Sequence, residues 1–287
     1  MLNTSEKIIY ENELGESIEI SHSLPFFLEE ITGIDGIKNE IHRYKAVGQD
    51  GTTIEDKSLD EREINIIGKI RGTSRGDVLY CRRKLIRIFN PKLKGKLKYS
   101  YGGIIKEIDV EVEESPVFAK SNVWRVQRFM INLLGPDPFL LDIYKSGELI
   151  QTWIKGFQFP LKLPFQLRQR GKTRKNIYNE GDVETPVEII FKGPAVNPSI
   201  TNLTTNEFIK VNRELTSDDT LYITTERGNK KVEIKRGNGE RENAFHYIDL
   251  DSTFFSLQAG DNLIEYNTEN LEPQSVEIRY RNRYLGM

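Results

Sequence analysis

The chain has 287 residues with 41 basic and 43 acidic side chains, so its net charge of −2 supplies no global field for gathering nucleic acid or an anionic membrane. At 37% hydrophobic and 29% charged it holds enough apolar material for packed cores and too much for a disordered chain, and at this length burial alone can stabilise it. The lone Cys81 excludes an intrachain disulfide, and His22, His42 and His246 lack the spacing of a zinc site.

The N-terminus, MLNTSEKIIYENE, is acidic where a secretory signal begins basic. Ile64–Ile70 alternates apolar and polar residues, as a half-buried strand does. The glycine-rich Gly68–Gly76 that follows has neither the GxxxxGK[ST] nor the GxGxxG spacing of a nucleotide loop and reads as the approach to a helix. That helix is predicted from about Ser74 to Phe89. Ser74 caps it, Asp77 sits three residues on, Val78, Cys81, Leu85 and Ile88 share one face, and Asn90-Pro91 stops it. Cys81, on the apolar stripe, is expected to be buried and inert.

Residues 82–98 carry Arg82, Arg83, Lys84, Arg87, Lys92, Lys94, Lys96 and Lys98 with no acid. Few aromatics interleave with them, so the run reads as a solvated or subunit-facing surface: the outer side of the helix, then a protected edge strand in which lysines alternate with Leu93, Leu97 and Tyr99. Arg82, Arg83, Arg87, Lys92 and Lys94 are the candidate assembly contacts.

Ile108–Glu113 alternates cleanly and reads as a sheet surface or edge, whereas Phe129-Met130-Ile131 and Leu133-Leu134 within Trp124–Leu134 suggest a strand covered on both faces. The longest uncharged apolar run, Phe129–Pro136, is far short of the ~20 residues that span a bilayer. From Leu140 to Asn179 the pattern becomes irregular, with Pro160, Pro164 and the basic run Arg168–Lys175, and the domain junction is placed there: 1–150, a junction over 151–180, and 181–287.

Short strand signals then recur at Val187–Phe191, Phe208–Val211, Leu221–Thr225, Lys231–Lys235, Leu263–Tyr266 and Val276–Tyr280, separated by turns at Arg227-Gly-Asn, Arg236-Gly-Asn-Gly and Gln258–Asn262. Asp218-Asp219 reads as turn chemistry. No GxSxG or HExxH motif is present and no acid pair stands out among the 43, so no catalytic, cofactor or metal residue is nominated. Trp153, Phe254 and Phe255 are nominated as a glycan or protein platform, against the default that they pack in a core.

The order of these short motifs resembles the distal tail protein family of siphophages. The segments carrying the resemblance are Phe191-Lys-Gly193, Asn197–Asn202, Lys231-Val232 before Gly237-Asn-Gly239, Asp249–Phe255, Leu257 to Gly260 with Asn262–Tyr266, and the ending Val276–Tyr280 with Tyr284-Leu-Gly286. Ile31–Gly36, Gly48 to Gly51, Ile64–Ile70, Asn90-Pro91 and Asp137-Pro-Phe139 extend it less sharply to the first half.

The resemblance implies a mainly β protein: a tail-tube-like N-terminal β domain with one flanking helix, then a galectin-like or jelly-roll β-sandwich. It further implies a non-enzymatic virion component at the tail tip or baseplate, made in the host cytoplasm, whose hexameric ring joins the tail tube to the tip hub. The implied partners are other copies of itself, the tail tube protein and the hub or tail-associated protein, with a receptor-binding protein a further candidate. Membrane has no part, no cofactor is implied, and DNA passes through the bore without specific binding. A headless tail-like bacteriocin would use the same ring. The alternative is a carbohydrate-binding adhesion module, although relatives with inserted sugar-binding modules are larger.

Overall fold

The structure, a computed structural model, describes residues 6–120, 124–144, 146–150, 153–154, 169–170, 173–269 and 275–287. The chain forms two compact units: Met1–Ile143 with Tyr284–Met287, and Tyr144–Arg283.

In the first unit the strands are β1 (Lys7–Asn12), β2 (Ser17–Ser21), β3 (Phe26–Thr32), β4 (Asn39–Tyr44), β5 (Thr53–Leu59), β6 (Arg62–Arg71), β7 (Lys94–Tyr101), β8 (Ile104–Val112), β9 (Val117–Phe118), β10 (Val126–Gly135) and β11 (Leu140–Asp142), with helix α1 over Arg75–Ile88. The large sheet runs β11-β8-β7-β1-β2-β3-β6-β10-β9. Pairing of Leu133 with Val112 and of Leu134 with Glu111 joins β10 back to β8, closing the strands from β8 round to β10 into a barrel and removing most free edges. Period-two alternation sets the inward face: along β6, Arg62, Ile64, Ile66, Gly68 and Ile70 are all buried. Gly68 is required there, because a Cβ would lie 2.7 Å from the Phe27 carbonyl oxygen and against the Phe129 ring.

Helix α1 covers the barrel core with Val78, Cys81, Leu85 and Ile88. Ser74 accepts from the Asp77 amide at 3.1 Å while the Asp77 carboxylate accepts from the Ser74 amide at 2.9 Å, a complete capping box. After the helix, Phe89 is fully buried and stacks on Tyr10 with centroids 4.2 Å apart. Fully burying side chains of this size contributes roughly 1.5–3 kcal/mol each, so the closed apolar interior is the main stabilising term.

Three local readings are corrected by barrel closure. Strand β7 is no edge, since it pairs with β1 on one side and β8 on the other. Of the two readings of Ile108–Glu113, the edge falls, since Ile108–Val112 of β8 lies inside the sheet, while exposed Asp109 keeps to the surface reading. Strand β10 is not covered on both faces: Phe129, Ile131 and Leu133 point into the core, while Met130 and Leu134 are half-exposed outside.

Strands β4 and β5 stand apart as a two-stranded sheet of their own, and every one of their residues is exposed. Their base is tied by Arg62, which is 2% exposed. Its Nε donates to the Pro138 carbonyl at 2.6 Å, its Nη1 to the carbonyls of Gly33 at 2.6 Å, Ile34 at 3.1 Å and Gly36 at 3.4 Å, and its Nη2 to that of Leu285 at 2.7 Å. Burial pulls the guanidinium pKa down from its ordinary value, and the carbonyl dipoles offset the several kcal/mol that burying a charge costs.

The second unit is a sandwich of two antiparallel sheets. One runs Ser146–Ile150, Ser275–Tyr280, Thr185–Lys192, Thr220–Thr224, Lys231–Lys235, Arg241–Asn243; the other Arg174–Asn179, Gly260–Asn267, Ser199–Asn202, Glu207–Lys210. Inward residues of both, Ile189, Phe191, Ile223 and Ile278 from the first and Ile200, Ile209, Ile264 and Tyr266 from the second, share one core. The units therefore divide at Ile143/Tyr144 instead of near 150, Arg174–Asn179 is a sheet strand and not irregular junction, and Tyr284–Met287 returns to the first unit. Backbone ladders set these limits, and the sequence around residue 150 carries no turn signal to reveal them.

Candidate assembly surface

The outward side of α1 exposes Leu79, Tyr80, Arg83, Ile86 and Arg87. Apolar and aromatic side chains interspersed with arginine is the composition of protein interfaces, in which Arg and Tyr supply much of the binding energy. Arg83 is exposed there. Arg87 pairs with Glu16 at 2.9 Å yet keeps 69% of its side chain exposed. Arg82 is turned the other way, its guanidinium 4.4 Å above the Phe118 ring, and is half-buried. The three arginines thus divide between outward residues and one that packs on β9.

The lysines after the helix are differently placed. Across the β7–β8 ladder Lys94 stands opposite Glu111, Lys96 opposite Asp109 and Lys98 opposite Glu107. Lys96 Nζ lies 3.1 Å from Glu107 and 3.5 Å from Asp109, and Lys98 Nζ lies 3.6 Å from Glu11 on β1. Opposite charges at directly facing positions stabilise the sheet and cancel its field. What reads in the sequence as a basic run is a face of mixed sign, with Lys92 and Lys94 exposed at its start.

The anion position at the α1 N-terminus is occupied by the chain itself. The Asp77 carboxylate accepts from the amides of Thr73 and Ser74 and from the Thr73 hydroxyl, and these bonds hold it below the usual carboxylate range. Cys81 is buried, and desolvation pushes its thiol pKa up.

In the second unit Phe255 is 2% exposed within the core, which corrects its nomination as a binding platform: it offers no face to a ligand. Phe254 is partly buried, stacks on Phe245 at 5.7 Å and carries Lys230 Nζ 5.1 Å above its ring. Trp153 pairs through its backbone with Arg170, and its side chain lies outside the described residues. Asp218-Asp219 is structural. Asp219, 3% exposed, accepts from the Thr216 amide at 2.9 Å and from Arg236 Nη1 at 2.8 Å. Among the described residues no group of His, Cys, Asp and Glu is arranged to hold a metal ion.

The sequence reading did not single out the outer face of β6 and β10. Ile67, Met130 and Val117, with Ala119 and Phe129, line an apolar cleft beside the two-residue strand β9. On its rim Glu29 bridges Lys69 and, at 2.7 Å, Arg128. A strict parity count along β10 would have put Met130 and Leu134 on this face.

Comparison with known proteins follows the two units. Residues 13–134 match the family model described as phage tail protein RIFT-related domain, and residues 180–284 that of the siphovirus-type tail component, C-terminal domain. No curated protein matches the chain in sequence. Among solved structures the chain is similar to the phage SPP1 Dit (gp 19.1) protein, described as a paradigm of the hub adsorption apparatus in Gram-positive-infecting phages, with a TM-score of 0.72 and 14% identity over 97% of this chain and 99% of that one. It is also similar to a chain of the phage P2 baseplate in its activated conformation, with Ca (TM-score 0.54) and with Sr (0.53), at 12% identity over 99% of both chains in each case. At such identities the likeness establishes a shared fold.

Proposed function

We propose that this chain, which belongs to the siphovirus-type tail components, is a distal tail protein that assembles into a six-membered ring joining the tail tube to the baseplate hub, its bore open for DNA. The observation carrying this reading is the end-to-end correspondence of fold with SPP1 Dit, through both units and with 99% of that chain matched. The fold suits the task. A closed barrel stabilises each copy internally and leaves its outer surfaces, including the α1 face, for neighbours.

The role is structural and no residue is assigned a catalytic step. Its partners are further copies of itself, the tube protein and the hub protein, and its place is the virion tail tip. Passage of DNA needs weak contact only, in keeping with a net charge of −2.

Native mass spectrometry and negative-stain microscopy over a concentration series test the reading. Six-fold rings are expected, in isolation or on addition of tail extract. A chain that stays monomeric under both conditions and is missing from purified tails overturns it.

A further inference from the structure

The larger sheet of the second unit has two faces, and only one of them packs in the core. Along Thr185–Lys192 the residues Val187, Ile189 and Phe191 point inward, yet Ile190, which parity turns outward, is only 3% exposed. In the ladder it lies between Glu277 and half-buried Tyr222, and Glu233 follows on the far side of Tyr222. The outer face therefore has an apolar floor of its own. Tyr222 lines a groove there of about 330 Å³, with Glu188, Glu233 and Arg241 from the strands and Glu226 and Asn229 from the turn between Thr220–Thr224 and Lys231–Lys235.

The polar groups of this groove are held in place. Arg241 donates to Glu233 at 2.9 Å with its guanidinium 5.5 Å from the centre of the Tyr222 ring, and Asn229 Nδ2 donates to Glu226 at 3.2 Å. Side chains ordered before binding lose little further entropy on it.

This composition narrows the ligand. Protein interfaces centre on several desolvated apolar and aromatic anchors, whereas here one ring stands among carboxylates, an amide and a guanidinium. Such planar groups match neighbouring hydroxyls, which both donate and accept, and a tyrosine face suits the C–H side of a sugar ring while its own hydroxyl stays polar. Charge selects as well. The lining acids Glu188, Glu226 and Glu233 outnumber Lys231 and Arg241 by three to two, so phosphate or a uronate is repelled. The volume is at the small end of the roughly 300–1,000 Å³ of ligand pockets, which suits a mono- or disaccharide.

We propose that this outer sheet face of the second unit binds an uncharged, hydroxyl-rich sugar residue, with Tyr222 as its platform and Glu233, Arg241 and Asn229 as its hydroxyl partners. The site lies within one unit of one copy, so the inference holds whatever the oligomeric state.

Saturation-transfer NMR on the full chain tests it, using methyl glycosides of glucose, galactose and N-acetylglucosamine at millimolar concentration and glucuronate as the anionic contrast. At least one neutral glycoside is expected to take up saturation, most strongly at its ring C–H protons, with glucuronate silent. Tyr222→Ala and Glu233→Gln are each expected to weaken binding at least about tenfold with the fold intact by melting temperature, and Tyr222→Phe to keep it. Tyr178→Ala, which removes an exposed tyrosine from the opposite sheet, is expected to change nothing. Should Tyr222→Ala fail to fold, the isosteric Glu233→Gln decides. Silence from every neutral glycoside overturns the inference, as does binding that survives Glu233→Gln undiminished or glucuronate binding as strong as that of the neutral sugars.

Discussion

Arg62 and Leu285, 223 residues apart in sequence, are joined by a 2.7 Å hydrogen bond from the Arg62 guanidinium to the Leu285 carbonyl. The same side chain reaches Pro138 and the carbonyls of 33–36, so one buried cation gathers the chain's end, the β10–β11 turn and the base of the β4–β5 arm. Nearby, Lys106 pairs with Asp142 at 2.6 Å and lies 3.3 Å over the Tyr284 ring, a second tie on the C-terminal segment.

Arg62→Ala leaves several buried carbonyls without a donor, and each orphan costs about 1–3 kcal/mol, so a loss of about 3 kcal/mol or more is expected from the first unit. Arg62→Lys, lacking the planar fork, should restore only part of it. Urea unfolding of the two variants checks this. Wild-type stability in Arg62→Ala would mean that water or rearranged backbone serves the carbonyls equally well.

Tyr10 has the opposite character. Its hydroxyl is buried without a hydrogen-bond partner, and desolvation, with Glu111 and Glu13 adding to it, pushes its pKa up to about 12. Tyr10→Phe keeps the ring stacked on Phe89 and removes the unsatisfied group, so stability is expected to hold or rise by about 1 kcal/mol. A clear loss in thermal melting would reveal a partner for the hydroxyl.

Asp219 gives the second unit an acid-sensitive tie. Burial alone would raise its pKa, but bonds from Thr216 and Arg236 outweigh that and hold it below the ordinary carboxylate value. A folded pKa below the unfolded one gives a contribution fully present above the unfolded pKa and lost as pH falls through the folded one. Stability should therefore decline on acidification below the normal Asp range, and Asp219→Asn should flatten that decline while lowering stability at neutral pH. Equal acid slopes for both proteins in pH-dependent unfolding would assign the effect to other carboxylates.

Arg83 and Arg87 point outward from α1, and we propose that they meet a neighbouring subunit or tail protein. The double reversal Arg83→Glu/Arg87→Glu should cost less than about 1 kcal/mol of fold stability, as exposed charges do, while blocking tail assembly. Arg82→Glu serves as contrast, since it loses a cation–π contact with Phe118 and should lower the melting temperature. Normal assembly of the double variant, scored by microscopy of complemented tails, returns both arginines to the solvated surface.

Much of the β content, helix α1 and its cap were legible because their signals are local. Ser74, Asp77 and the Val78–Cys81–Leu85–Ile88 stripe fix the helix within its own residues, and alternation in Ile64–Ile70 or Val276–Tyr280 names the buried face of a strand without knowing its partner. The order of such segments also carried the resemblance to a tail protein family. The arm at β4–β5 left no comparable trace, since a strand with neither face buried has no apolar period to read.

What only the tertiary structure decided were the relations between segments distant in sequence. Charge neutralisation of Lys94, Lys96 and Lys98 comes from acids that register places opposite them, and Arg62, flanked by Glu61 and Glu63 like any surface residue, is interior because it falls in phase with Ile64 and Ile66 beneath the returning C-terminus. Hydrogen bonding along one element is set by neighbouring residues, whereas ladder pairing, closure of β8 onto β10 and the burial of a charge depend on which remote carbonyls and carboxylates arrive beside it.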